Sequence, residues 1–230
     1  MEVLLIYLLN LFKIFYQNKK MKIPILTFTL KFLKSKLNYD KIRFLWIKSN
    51  FKKIESIISH KVEFKNPQRM IIGKGVVIQP DTWIAAMVND LPILNAFDPW
   101  ITIKDGVYIG RFCQITVSNS LIIEENVLIT EGVLITDTIH GYENINVPIV
   151  KQRMYNRGPI VIKSGAWIGN GARLVGSLTV GKNSVVGANC YLDKDVPDYC
   201  IVGGIPARII KRYDPSVKRW INVNVPLNQL

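Results

Sequence analysis

IVIKSGAWIGNGARLVGSLTVGKNSVVGANCYL, residues 160–192, brings back an aliphatic side chain at every sixth position: Ile162, Ile168, Leu174, Val180, Val186 and Leu192. Upstream, the same period runs through Ile103, Ile109 and Ile115, slips by two residues, and resumes at Ile123, Ile129 and Ile135. A shorter run, Ile72-Gly73 and Ile78 to Ile84, opens the series. This is neither the 3.6-residue period of a helix nor the alternation of an ordinary strand. The position four after the aliphatic is mostly small or aliphatic: Val107, Cys113, Val127, Val133, Ala166, Ala172, Ser184 and Cys190. Glycine often follows the aliphatic directly, as at Gly110, Gly169, Gly181 and Gly187. These glycines read as turns whose φ an ordinary residue resists.

A unit of six is a short strand plus a tight turn, and three such units make one triangular coil. One coil cannot bury its own apolar interior, so coils must stack, aligning the aliphatics in columns. The spacing therefore predicts a mainly β chain built as a parallel β-helix. Residues 85–101 and 141–159 break the period. The second break, GYENINVPIVKQRMYNRGP, is polar and turn-rich and follows His140. A long loop leaving a compact solenoid commonly carries function.

The flanks differ. Residues 22–64 place apolar residues at helical spacing between lysines, which predicts one to three helices capping the open end of the solenoid. The predicted organisation is an apolar, basic helical region over 1–65, a β-helix over 66–212 with its loop at 141–159, and a tail over 213–230 forming a short helix or extended segment.

The formal net charge is +13, and residues 1–53 hold twelve Lys or Arg against Glu2 and Asp40. Such a segment suits an anionic membrane surface. Nucleic acid would call for a reading motif, and none is found. The first sixteen residues, MEVLLIYLLNLFKIFY, are too short for an ordinary span and lack the basic start and cleavage site of a secretory signal. They read either as a segment lying on the membrane or as a helix packed on the protein, with Met21 an alternative start. The expected location is cytoplasmic, at the inner face of the membrane. Cys113, Cys190 and Cys200 form no CxxC pair and read as buried free thiols. With two histidines in the chain, a three-histidine zinc site cannot be assembled within it, so no metal is expected.

The segment ITDTIHGYE, followed by GPIVIKSGAWIGNGARLVGSLTVGKNSVVGANCYLDKDVPDYCIVGGIPARIIKR, resembles the hexapeptide-repeat acetyltransferases, and among them the O-acetyltransferases of bacterial surface polysaccharides. The resemblance covers about residues 70–212. It rests on the histidine before a loop, the Trp-Ile-Gly opening a coil, and Gly-x-Pro-Ala-Arg at the end. It implies a left-handed helix, a homotrimer with sites between subunits, acetyl-coenzyme A as co-substrate and a glycan or sugar hydroxyl as acceptor. An antibiotic or amino-sugar nucleotide acceptor, or a non-catalytic scaffold, are the alternatives.

A neutral hydroxyl is a poor nucleophile and needs a base within hydrogen-bonding reach. His140 ends a coil and begins the loop, whereas His60 lies in the basic region without a motif. His140 is therefore the expected base, with Asp137, Glu143 or a backbone carbonyl to orient it. By the resemblance, Trp167 stands near the histidine and the thioester. Gly169, Asn170, Ala188 and Lys194 line the coenzyme groove, with Asp193 beside them, while Arg208 and Lys211 meet its phosphates. The asparagine that maltose-type relatives use for the acceptor is missing at GRFCQ, with Asn119 a substitute.

Overall fold

The computed structural model describes residues 55–88 and 98–223. The helices expected within residues 1–54, and the membrane reading of that segment, lie outside the described residues.

The described chain winds as a triangular prism whose three faces are parallel sheets. The first face stacks Ile57–Ile58, Val77–Ile78, Tyr108–Ile109, Leu128–Ile129, Trp167–Ile168, Val185–Val186 and Cys200–Gly203. The second stacks Glu63–Lys65, Trp83–Ala86, Gln114–Val117, Leu134–Thr136, Arg173–Val175 and Tyr191–Leu192. The third stacks Met70–Ile72, Trp100–Ile103, Ser120–Ile123, Ile160–Ile162 and Leu178–Val180. The chain visits the faces in the order first, second, third, and begins again.

The six-residue period is the cause. Each aliphatic points inward and sits on its counterpart one coil away: Ile109, Ile129, Ile168 and Val186 on the first face, Ile115, Ile135, Leu174 and Leu192 on the second. All are essentially solvent-free. Each such isoleucine or leucine contributes roughly 1.5–3 kcal/mol over leaving it exposed. The small residues fill the corners. Thr82 Oγ1 donates to the Gly110 carbonyl at 2.8 Å and Cys113 Sγ to that of Thr130 at 3.1 Å, so these polar corner groups are satisfied.

The glycines divide into two kinds. Gly110 and Gly169, directly after the aliphatic, do not have positive φ. They are needed for closeness: a Cβ on Gly169 would stand 2.7 Å from the Ala188 nitrogen, and one on Gly110 2.7 Å from the Thr130 carbonyl carbon. The left-handed positions fall elsewhere in the turns. Gly106, Asn126, Gly165 and Asn183 occupy one edge, and Gly132, Gly171 and Asn189 another. Only glycine and, at modest cost, asparagine adopt that conformation readily.

Three expectations change at the flanks. Residues 55–64 are not helical, because Ile57–Ile58 pairs with Val77–Ile78 and Glu63–Lys65 with Trp83–Ala85. The solenoid therefore begins before residue 66, with Ile58 already buried inside it. At the other end residue 212 is no boundary. Arg208–Asp214 pairs antiparallel with Cys200–Gly203, and Arg219–Asn222 pairs with it in turn, so a hairpin and not a short helix extends the first sheet. The loop at 85–101 is shortened from both sides, since Trp83–Ala86 and Trp100–Ile103 are strands.

The slip and both breaks leave from one edge. The two extra residues after Ile115, residues 85–101 and residues 141–159 all fall where the chain passes from the second face to the third.

All three thiols are buried, and burial pushes Cys113 up to about 11 and raises Cys190 and Cys200 as well. Since the thiolate is the reactive form, a disulfide reagent such as dithionitrobenzoate should label none of the three in the native chain and all three after denaturation. Rapid labelling of a native thiol would contradict this packing.

Candidate active site

His140 ends the short strand Thr138–His140, which pairs antiparallel with Met154–Asn156 to make an arm rooted at the edge between the second and third faces. The 141–153 turn is held by Gln152. Its Nε2 donates to the carbonyls of Asn144 and Val147 at 2.9 and 2.8 Å, and its Oε1 accepts the Asn144 N–H. The Gly141 N–H reaches the Arg153 carbonyl at 2.8 Å. Cross-strand partners lie on one side of a hairpin, so His140, Met154, Thr138 and Asn156 share a side. The His140 side chain is exposed. Among the described residues its ring forms no hydrogen bond within the protomer.

Neither carboxylate named as its orienting group turns to it. Glu143 accepts the N–H of Tyr142 at 3.0 Å. Asp137 is fully buried and faces the coil beneath. Its Oδ1 accepts the Ser118 N–H and its Oδ2 the Asn119 N–H, each at 2.7 Å. Thr138 Oγ1 adds a third donated bond at 2.9 Å and lies 2.7 Å from Ser118 Oγ. Asn119, read as a substitute acceptor ligand, is also engaged with the arm: its Nδ2 donates to Asn156 Oδ1 at 3.2 Å. Sequence reasoning passed over Ser118, Thr138 and Asn156. The signal available was the aspartate three residues before the histidine, at the point where the period fails.

The expected coenzyme residues fall into two groups. Trp167 stands on the outside of the first face, 46 % exposed, between Leu128 and Val185 of the neighbouring coils. Lys211 joins this row through its pairing with Ile201, itself the partner of Val185. Gly169, Asn170 and Ala188 stack at the edge between the first and second faces. There the Gly169 N–H meets the Val186 carbonyl at 2.8 Å and the Asn189 N–H meets that of Asn170 at 2.8 Å. Arg208 pairs with Gly203 at the same edge. These six residues share one face and its border. Lys194 does not join them. It and Asp193 follow Tyr191–Leu192 at the edge between the second and third faces, on the side of the arm. His140 is on that side too, and the prism stands between it and Trp167.

No protein-family model matches the chain. It is 29 % identical over 131 residues to a putative lipopolysaccharide biosynthesis O-acetyl transferase of Escherichia coli K12, covering 54 % of this chain and 63 % of that protein. It is 27 % identical over 149 residues to a probable acetyltransferase of Mycobacterium tuberculosis H37Rv, covering 62 % of this chain and 49 % of that one. Both relatives are acetyltransferases by name. The chain spans about half to two thirds of the length of these two relatives. Among solved structures it superposes on AntD, an N-acyltransferase from Bacillus cereus in complex with dTDP and 3-hydroxybutyryl-CoA. The TM-score is 0.60 at 17 % identity, over 76 % of this chain and 90 % of that one. The shared hexapeptide-repeat fold is a left-handed parallel β-helix, the opposite of the hand that parallel crossovers ordinarily take.

Burial raises the Asp137 carboxyl above its ordinary value of 3.8, although its three donors pull the other way. A raised folded-state value means that the folded chain binds that proton more tightly. Its contribution is complete below 3.8 and is lost as pH rises through the raised value. The stability difference between the natural chain and Asp137→Asn, followed by urea denaturation, should therefore shrink as pH rises through that window. A gap that widens with pH would contradict the assignment.

Proposed function

We propose that the chain is an acetyl-coenzyme A-dependent O-acetyltransferase acting on a hydroxyl of a bacterial surface polysaccharide or its sugar precursor, with His140 as general base. The observation that carries this reading is the position of His140: an exposed imidazole at the root of a polar arm, at the end of a strand that a rigid solenoid supports. The lipopolysaccharide-type relative favours a glycan acceptor over other hydroxyls.

The chemistry needs little else. The acceptor oxygen attacks the thioester carbonyl while its proton passes to the imidazole. The tetrahedral oxyanion requires preorganised N–H donors, which the turn after Trp167 can offer from its backbone. The carbon–sulfur bond then breaks, and the same proton goes to the departing thiolate. The edge at Gly169 suits a narrow pantetheine chain because side-chain bulk is absent there. Arg208 and Lys211, on the adjoining strand, supply cationic donors for phosphate.

The division of these residues across the prism supports assembly as a homotrimer. One protomer presents the base on the arm edge and the groove residues on the first face, so a complete site requires the arm edge of one copy against the first face of the next. The basic residues 1–53 suit the anionic inner face of the cytoplasmic membrane, where lipid-linked glycans are built.

The test is thiol release from acetyl-coenzyme A with a panel of polysaccharide fragments, free sugars and a dTDP-linked amino sugar. His140→Ala should lower turnover by about two to four orders of magnitude; near-normal rates in that variant would remove the mechanism. Transfer to the amino sugar alone would replace the O-acetyl reading with N-acylation. In liposome flotation, vesicles containing phosphatidylglycerol should carry the full chain and lose it when residues 1–20 are deleted. Equal flotation of both forms would end the role given to that segment.

A further inference from the structure

Most turn N–H groups of the solenoid are met by carbonyls of a neighbouring coil, and a few by a carboxylate, as the Lys74 N–H is by Asp105 and the Lys182 N–H by Asp198. At the edge between the second and third faces the Met87 N–H meets the Val117 carbonyl at 2.7 Å, and the Trp100 N–H meets that of Asn119 at 3.1 Å. One coil higher this supply fails. After Thr136 the chain leaves for the arm, and the N–H groups of Ser118 and Asn119 face no backbone carbonyl. The two carboxylate oxygens of Asp137 take that place, one for each N–H, at 2.7 Å. The carbonyl of Asp137 is meanwhile used by the returning strand, accepting the Arg157 N–H at 2.7 Å. Asp137 thus ties both strands of the arm to the coil.

The fastening extends toward the base. Thr138, the next residue, donates to the same carboxylate and stands 2.7 Å from Ser118 Oγ, and Asn156 opposite it accepts from Asn119. Thr138 and His140 share one side of a two-residue-period strand, so fixing the Thr138 side chain fixes the direction in which the next side chain on that side leaves the arm. Beyond His140 the hairpin is tied to itself through Gln152 and Gly141 and makes no further polar bond to the coils among the described residues.

We infer that Asp137, acting with Thr138, is a positioning residue: it replaces the missing coil carbonyls at the foot of the arm and so sets where the His140 imidazole stands. The inference rests on the reading of His140 as the base, yet it makes no bond to that ring. The aspartate acts through the backbone of its own strand. A carboxylate is required because the two N–H groups call for two acceptors. Asparagine offers one oxygen and turns an NH2 toward the other N–H, leaving a buried donor unmet.

Two variants test this, Asp137→Asn and Thr138→Val, the second keeping the carboxylate and removing only the hydroxyl bridge. With the acceptor found by thiol release, each should lower kcat about tenfold or more while leaving KM for acetyl-coenzyme A unchanged. Neither should reduce kcat further when His140 is already alanine, since a residue that acts through another has no separate effect once its target is gone. A reading independent of any acceptor comes from imidazole carbon-13 spectra, in which the two histidines are told apart by His140→Gln. Both variants should shift and broaden the His140 signal and leave His60 unchanged. If Asp137→Asn does not fold, Thr138→Val decides alone. An unmoved His140 signal in the folded variants, or equal losses of kcat with and without His140, overturns the positioning role. Full activity of His140→Ala overturns the parent reading instead.

Discussion

Parallel stacking of identical short turns is the constraint from which the rest follows. Neighbouring coils exchange backbone N–H and carbonyl groups and set their aliphatic side chains on one another, so a position in one coil constrains the residue type at the same position of its neighbours. This explains why isoleucine recurs at 103, 109, 123, 129, 162 and 168, and why corner residues shrink to Val, Cys, Ala and Ser. It also explains why two kinds of glycine appear. One kind lets coils approach closely, and the other accepts a left-handed turn that asparagine shares.

The same constraint decides where anything irregular can go. A strand inside the stack cannot be lengthened without misplacing the columns on either side, so extra residues are confined to a corner. Among the described residues they are confined to one corner, between the second and third faces. The cost of leaving the stack there is a pair of N–H groups without carbonyls, and the Asp137 carboxylate removes that cost. The histidine of the candidate site stands at the foot of this departure, where rigid scaffold and solvent meet. The face that carries Trp167 is the one opposite that corner, so the solenoid keeps the two groups of candidate residues apart in each protomer.

Much of this could be read from the chain in advance. The inward columns from Ile103 to Leu192 were visible as a period and are buried as the period requires. His140, at the end of a coil and the start of a polar insertion, was visible for the same reason. The corner that bears the insertions was also encoded, because each irregularity follows a third unit: Ile115 after Ile103 and Ile109, and Ile135 after Ile123 and Ile129. Other features were not legible. Residues 55–58 looked helical because a few apolar residues among charges satisfy that spacing as well as any other, and only pairing with Val77–Ile78 makes them strand. Nor was it legible that Lys194, which the resemblance places beside the coenzyme, stands at the arm edge and not on the face of Trp167.

The sequence by itself determined the coil, its inward columns, the placing of the breaks and the candidacy of His140. These are local or periodic properties, set by side-chain size and polarity at fixed intervals. Only the tertiary structure decided which partners the buried Asp137 takes and that Trp167 and His140 lie on opposite sides of one prism. It also decided that Arg208–Asp214 turns back as a strand. Those outcomes depend on which residues of distant coils are brought level by winding, and on which hydrogen-bonding groups are left without a backbone partner when the chain departs. No interval along a single strand records that.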